Sequence, residues 1–174
     1  MAVIELRSAE GVSLLRTVSR SVDPIALLSV IGDRYVNWID ENFRREGAEV
    51  PWAPLRPGTI AGRRRGSSKV LQDTGRLRAS ATRQLTGETL RIGFGSLIAK
   101  FHHFGTRPFI IRPTRKRALR FMTAGGVRFA RIVRHPGLPV RRLLPSASLA
   151  NRLANEEADA LVRRATKAFG RGSR

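Results

Sequence analysis

Residues 81–94 read ATRQLTGETLRIGF, and this stretch decides the fold class. Ala81–Leu85 and Thr89–Phe94 are short runs able to fill a pleated surface, and Thr86-Gly87-Glu88 between them is turn chemistry. The stretch therefore reads as a β-hairpin, which commits the chain to antiparallel pairing. Helices flank it on both sides. Upstream, Asp23 suits an N-cap and Pro24 a first helical position. Leu28, Ile31, Tyr35, Trp38 and Phe43 then recur at helical spacing before Gly47, predicting an amphipathic helix over 24–46 with those residues inward. Downstream, Ser146 or Ser148 caps a helix reaching about Ala168, with Leu149, Leu153, Ala160, Leu161 and Ala165 inward.

Between these landmarks the reading is coarser. Residues 48–68 hold three prolines and three glycines and read as a loop. Asp73 or Thr74 is expected to cap a short helix that buries Leu77. Leu97–Phe104 reads as a short apolar helix or turn ended by Gly105. A second hairpin is expected from Ala118–Thr123 and Val127–Val133 around Ala124-Gly125-Gly126. Leu119, Phe121, Val127 and Phe129 would form its apolar face, and Arg120, Arg128 and Arg131 the opposite one. The class is α+β: an antiparallel sheet of two hairpins packed against a long N-terminal helix and a C-terminal helix, with a basic hairpin insertion. The expected organisation is an N-terminal arm over 1–22, one domain over 23–169 and a tail over 170–174. Within that domain, 48–69 is a mobile loop and 107–138 the basic insertion. For the arm itself, strand and helix both stay open.

Charge narrows the function. The 174 residues carry a formal +20, and Ile60–Arg142 holds 20 Lys/Arg against only Asp73 and Glu88. Such an excess self-repels, so a polyanion or an acidic neighbour is the expected relief. Arginine dominates, with lysine only at 69, 100, 116 and 167. Its planar fork meets phosphate or carboxylate bidentately. Arg63, Arg64, Arg65, Arg112, Arg115, Lys116, Arg117, Arg120, Arg128, Arg131 and Arg134 are the candidate contacts to nucleic acid or acidic neighbours. There are no cysteines, so disulfides and thiolate metal sites are absent. Met1–Arg7 lacks the apolar core of a leader, and no run is long enough to span a membrane.

Catalytic readings find little to stand on. His102 and His103 are adjacent and point different ways on any regular element, and neither they nor His135 has a completed ligand set nearby. A nuclease would gather carboxylates in a basic cleft. Asp73 and Glu88 read instead as a cap and a turn residue, and Glu156, Glu157 and Asp159 as a solvated helix face. Gly93-Phe94-Gly95 lacks the third glycine and the βαβ context of a nucleotide loop. The expectation is a protein without enzymatic activity, cofactor or metal. An arginine stripe with little aromatic interleaving would bind phosphates without sequence preference. A basic nucleic-acid-binding protein is therefore the alternative reading.

A series of landmarks carries a resemblance. Asn42-Phe43, Trp52-Ala53-Pro54-Leu55, Thr59, Val70–Leu77, Ile92-Gly93, Ala99–Gly105 and Leu138–Leu144 occur in that order. Over about residues 25 to 165 the chain resembles the phage virion morphogenesis, or tail-completion, proteins of long-tailed bacteriophages. Ala118–Gly137 is also similar to neck and minor-tail relatives of HK97-like and Mu-like phages. Leu143 stands where that family commonly has an aromatic, and the 107–138 insertion is longer and more basic than in the shorter members. The resemblance implies a structural virion component made in the host cytoplasm. It would form a ring, expected as a hexamer, at the head–tail junction around the DNA channel. Its partners would be further copies of itself, other neck and tail proteins and the packaged double-stranded DNA. His102, His103, Phe104, Pro139, Arg141 and Arg142 would lie at the subunit interface. Trp52 and Leu55 would anchor the loop after the first helix onto the sheet.

Overall fold

The structure is a computed structural model, described over residues 3–7, 23–63, 67–123 and 125–171. In chain order it contains β1 (Val3–Arg7), α1 (Pro24–Arg44), α2 (Pro57–Ala61), α3 (Arg76–Ala79), β2 (Ala81–Thr86) and β3 (Thr89–Phe94). These are followed by α4 (Ile98–Phe104), β4 (Phe109–Ile111), β5 (Leu119–Thr123), β6 (Gly126–Ala130), β7 (Val133–His135) and α5 (Ala147–Arg171). The class is α+β, with every strand pair antiparallel. The strands form three separate sheets, β1-β3-β2, β4-β7 and β5-β6. The two hairpins thus belong to different sheets, and Val3–Arg7 supplies the third strand beside β3.

The chain divides into two compact units, each assembled from separated segments. Met1–Glu41, Ala81–Gly95 and Leu144–Arg174 make the first, Asn42–Ser80 and Ser96–Leu143 the second.

In the first unit, Asp23 caps α1 as expected: its carboxylate accepts from the Ile25 N–H at 3.0 Å. Leu27, Leu28, Ile31, Tyr35 and Ile39 are buried, while Trp38 is only half-buried because it falls at the margin of the inward stripe. β3 is the central strand and buries Leu90, Ile92 and Phe94, alternate residues on one pleated face. A Cβ on Gly32 would sit 3.2 Å from Leu90 Cδ1, so a small residue lets α1 come close to the sheet. Ser146 is the cap of α5, its hydroxyl accepting from the Leu149 N–H at 3.3 Å. That helix buries Ala150, Leu153 and Ala158; Leu149, Ala160, Leu161 and Ala165 are half-buried. The Tyr35 hydroxyl donates to the Ala150 carbonyl at 2.7 Å, and burial pushes the phenol up to about 12.

The second unit departs further from expectation. The loop at 48–68 contains α2, which Pro57 at the first helical position starts. The cap of α3 is Gly75 at φ 72°, not Asp73 or Thr74, and Leu77 is half-buried. Thr123 pairs with Gly126, so the second hairpin closes over two residues and its strands end sooner than expected. This register also corrects the expected segregation of its faces. Opposite residues share a face, and Arg120 lies opposite Phe129 while Phe121 lies opposite Arg128. Each face therefore mixes a guanidinium with an aromatic ring.

Candidate functional site

Within the second unit, the landmarks around Asn42, Trp52 and His102-His103 meet at one segment, Arg141–Leu143, which several polar groups fasten from different directions. Asn42, 1% exposed, donates from Nδ2 to the Arg142 carbonyl at 2.9 Å and accepts the Ala48 N–H on Oδ1 at 2.7 Å. Trp52 Nε1 donates to the same Arg142 carbonyl at 3.1 Å, and its ring meets Phe43 edge-on with centroids 5.2 Å apart. Trp52 is thus held by the Phe43 ring and the Arg142 carbonyl, and Leu55 is half-buried. Gln72 Nε2 donates to the Phe43 carbonyl at 2.8 Å. Buried polar groups cost free energy unless bonded, and each of these is bonded.

From the other side, the Arg141 N–H donates to the His102 carbonyl at 2.8 Å, and the Leu143 N–H to His103 Nδ1 at 3.1 Å. The Arg141 guanidinium is itself inside the unit, 5% exposed, with Nη2 2.9 Å and Nε 3.2 Å from the Ala53 carbonyl oxygen. Burial lowers the Arg141 pKa, and the nearby Arg63 charge adds to this. Both adjacent histidines are held below the ordinary imidazole value, first by burial and then by Arg141 beside His102 and Arg142 beside His103. His102 Nδ1 is buried without a hydrogen-bond partner among the described residues. Gly105 at φ 70° closes the histidine corner after α4.

Outside this clamp the surface is cationic. Arg112, Arg115, Lys116, Arg117, Arg120, Arg128, Arg131 and Arg134 are all exposed, and none makes an ion pair among the described residues. Arg63 differs: it is half-buried and donates to the Ser67 carbonyl at 2.8 Å and to the Lys69 carbonyl. Arg64 and Arg65 lie outside the described residues. Of the expected interface residues, Phe104, Pro139 and Arg142 are exposed, His102 and His103 half-buried, and Arg141 buried. Leu97, Ile98 and Phe101 are also exposed, beside Phe104 on and next to α4. The sequence signal for this exposed stripe is Ile98, Phe101 and Phe104 recurring every three residues along the helix. Among the described residues no three His, Asp or Glu side chains gather where they could hold a metal ion. No helix among them is long and apolar enough to cross a membrane.

The model of the phage virion morphogenesis family matches residues 12–168. The chain belongs to that family. Its role therefore lies in bacteriophage virion morphogenesis, and the clamped segment Arg141–Leu143 falls within the matched residues. No curated protein and no solved structure matches the chain significantly.

Proposed function

We propose that this member of the virion morphogenesis family is a structural, non-enzymatic subunit of a ring, a hexamer, at the junction of phage head and tail. In this reading it serves as a tail terminator, a completion protein or a neck connector around the DNA channel. Copies of itself and other neck and tail proteins are its neighbours, and packaged DNA passes by its cationic surface. The observation that carries the reading is Ser96–Leu143, which holds 12 Lys/Arg and no Asp or Glu. All but the buried Arg141 are exposed, so the counter-charge must come from outside the segment. A rigid clamp behind an exposed cationic and apolar surface suits a part that docks and does not turn over substrate. Cryo-electron microscopy of purified particles tests it: density for this chain as a closed ring at the neck is expected. Its absence from mature particles by mass spectrometry would leave a transient assembly factor instead.

The same guanidiniums favour a second reading, a free nucleic-acid-binding protein indifferent to sequence. Titration of the isolated protein with duplex DNA against salt separates the two. A log–log slope of several units, with binding kept near physiological salt, supports the second reading. Weak binding together with ring formation supports the first.

A further inference from the structure

The ribbon of β5 and β6 has a face whose chemistry a phosphate-binding role leaves unused. Its register puts Arg120, Met122, Val127 and Phe129 on one side, with Arg120 opposite Phe129 and Met122 opposite Val127. On that side Phe129 is 68% exposed, Met122 55% and Val127 40%. No third strand joins the ribbon among the described residues. A two-stranded ribbon with an open apolar face is marginal alone in water, and contiguous exposed apolar groups mark contact surfaces. A DNA backbone would satisfy Arg120 and leave the three apolar neighbours wet. The occupant is therefore a protein surface.

Charge selects which one. A two-fold contact of ribbon on ribbon would bring like segments together, and Ser96–Leu143 contains no carboxylate to offset its cations. The whole second unit holds 21 Lys/Arg against Glu46, Glu49 and Asp73. The first unit holds the other 10 of the 13 carboxylates against 12 Lys/Arg, so it is near neutral and carries nearly all the anionic groups the chain can offer. We infer that the Arg120–Met122–Val127–Phe129 face docks head to tail on the carboxylate-bearing first unit of a second copy of this chain. The inference rests on the reading of the chain as a ring subunit and supplies its contact. Heterologous contacts of this kind close into rings when the rotation permits.

Sedimentation velocity on the full-length protein tests it. Wild type should associate beyond the dimer. The double substitution Met122→Ser, Phe129→Ser should weaken self-association at least tenfold while the circular-dichroism melt stays unchanged. Arg120→Glu, a surface change on the same face, should weaken it too and stands in should the double variant fail to fold. Mixed with wild type, the double variant keeps its acceptor and loses its donor, so it should enter wild-type assemblies and shorten them. Unchanged assembly by both variants overturns the inference and leaves the ring itself standing. Exclusion of the variant from mixed assemblies overturns the head-to-tail arrangement. A fall in DNA affinity with assembly unchanged assigns the face to nucleic acid and also overturns it. Wild type that stays monomeric up to its solubility limit overturns it as well, while the place of the chain in the virion is still decided on particles.

Discussion

At the scale of single residues, the second unit depends on polar side chains that lack substitutes. Asn42→Leu keeps the number of heavy atoms but leaves the Ala48 N–H without its acceptor and removes one of the two side-chain donors to the Arg142 carbonyl. The expected cost is about 2–4 kcal/mol, read by urea denaturation. Gly137 adopts φ 88°, and a Cβ there would run into the Thr106 carbonyl oxygen, so Gly137→Ala should cost about 2 kcal/mol or more in the same assay. The histidines set a pH dependence. His103 must be neutral for Nδ1 to accept the Leu143 N–H, and the folded state lowers the pKa of both adjacent imidazoles. The unfolded chain then takes up protons first, so their contribution is intact above about pH 6.5 and is lost as pH falls through the lower folded values. The melting temperature should drop between pH 7 and 5, and His102→Gln, His103→Gln should flatten that drop. From the residues alone, the inward Leu28, Ile31 and Tyr35 were legible because helical spacing assigns them. The work of Asn42 and Gln72 was not, because no periodicity says which backbone atom a lone amide will find.

Elements were legible in proportion to how local their causes are. Asp23, Pro24 and the apolar stripe sit within α1 itself, and the observed Pro24–Arg44 differs from the reading only at its last turn. Glu46 at φ 54° and Gly47 at φ 113° end the helix there, with the Gly47 N–H donating to the Asn42 carbonyl at 2.9 Å. Asp23→Ala should cost about 1 kcal/mol in thermal stability. The first hairpin was fixed by its own turn residues, whereas the face pattern of the second depended on a one-residue choice of register. Phe121 and Phe129 look equivalent in sequence, yet pairing of Thr123 with Gly126 sends them to opposite sides. Ahead of that hairpin, Arg115, Lys116 and Arg117 are exposed and make no bond among the described residues. Neutralising all three should change stability by less than about 0.5 kcal/mol. The same change should lower infectious-particle yield; normal yield would remove the functional role assigned to that run.

For the whole molecule, the chain predicted its class from hairpins between helices, but not the partition into two units or the strand contributed by Val3–Arg7. Both arise from contacts between distant segments, which local pattern does not encode. Hydrogen exchange should report this architecture strand by strand. Amides of β3, flanked on both sides and buried at Leu90, Ile92 and Phe94, should exchange slowest, and those of the β5-β6 ribbon fastest among the strands. Equal protection of the two would mean that the ribbon is already covered in the isolated protein. The grip on Arg141–Leu143 has one further consequence. Asn42, Trp52 and His103 seize a carbonyl and an amide, atoms every amino acid carries, and the side chain of Arg142 stays outside. Position 142 can then be rewritten from cation to anion or apolar group while the scaffold beneath keeps its shape. A lineage adapting to altered neighbours could retool this patch one codon at a time.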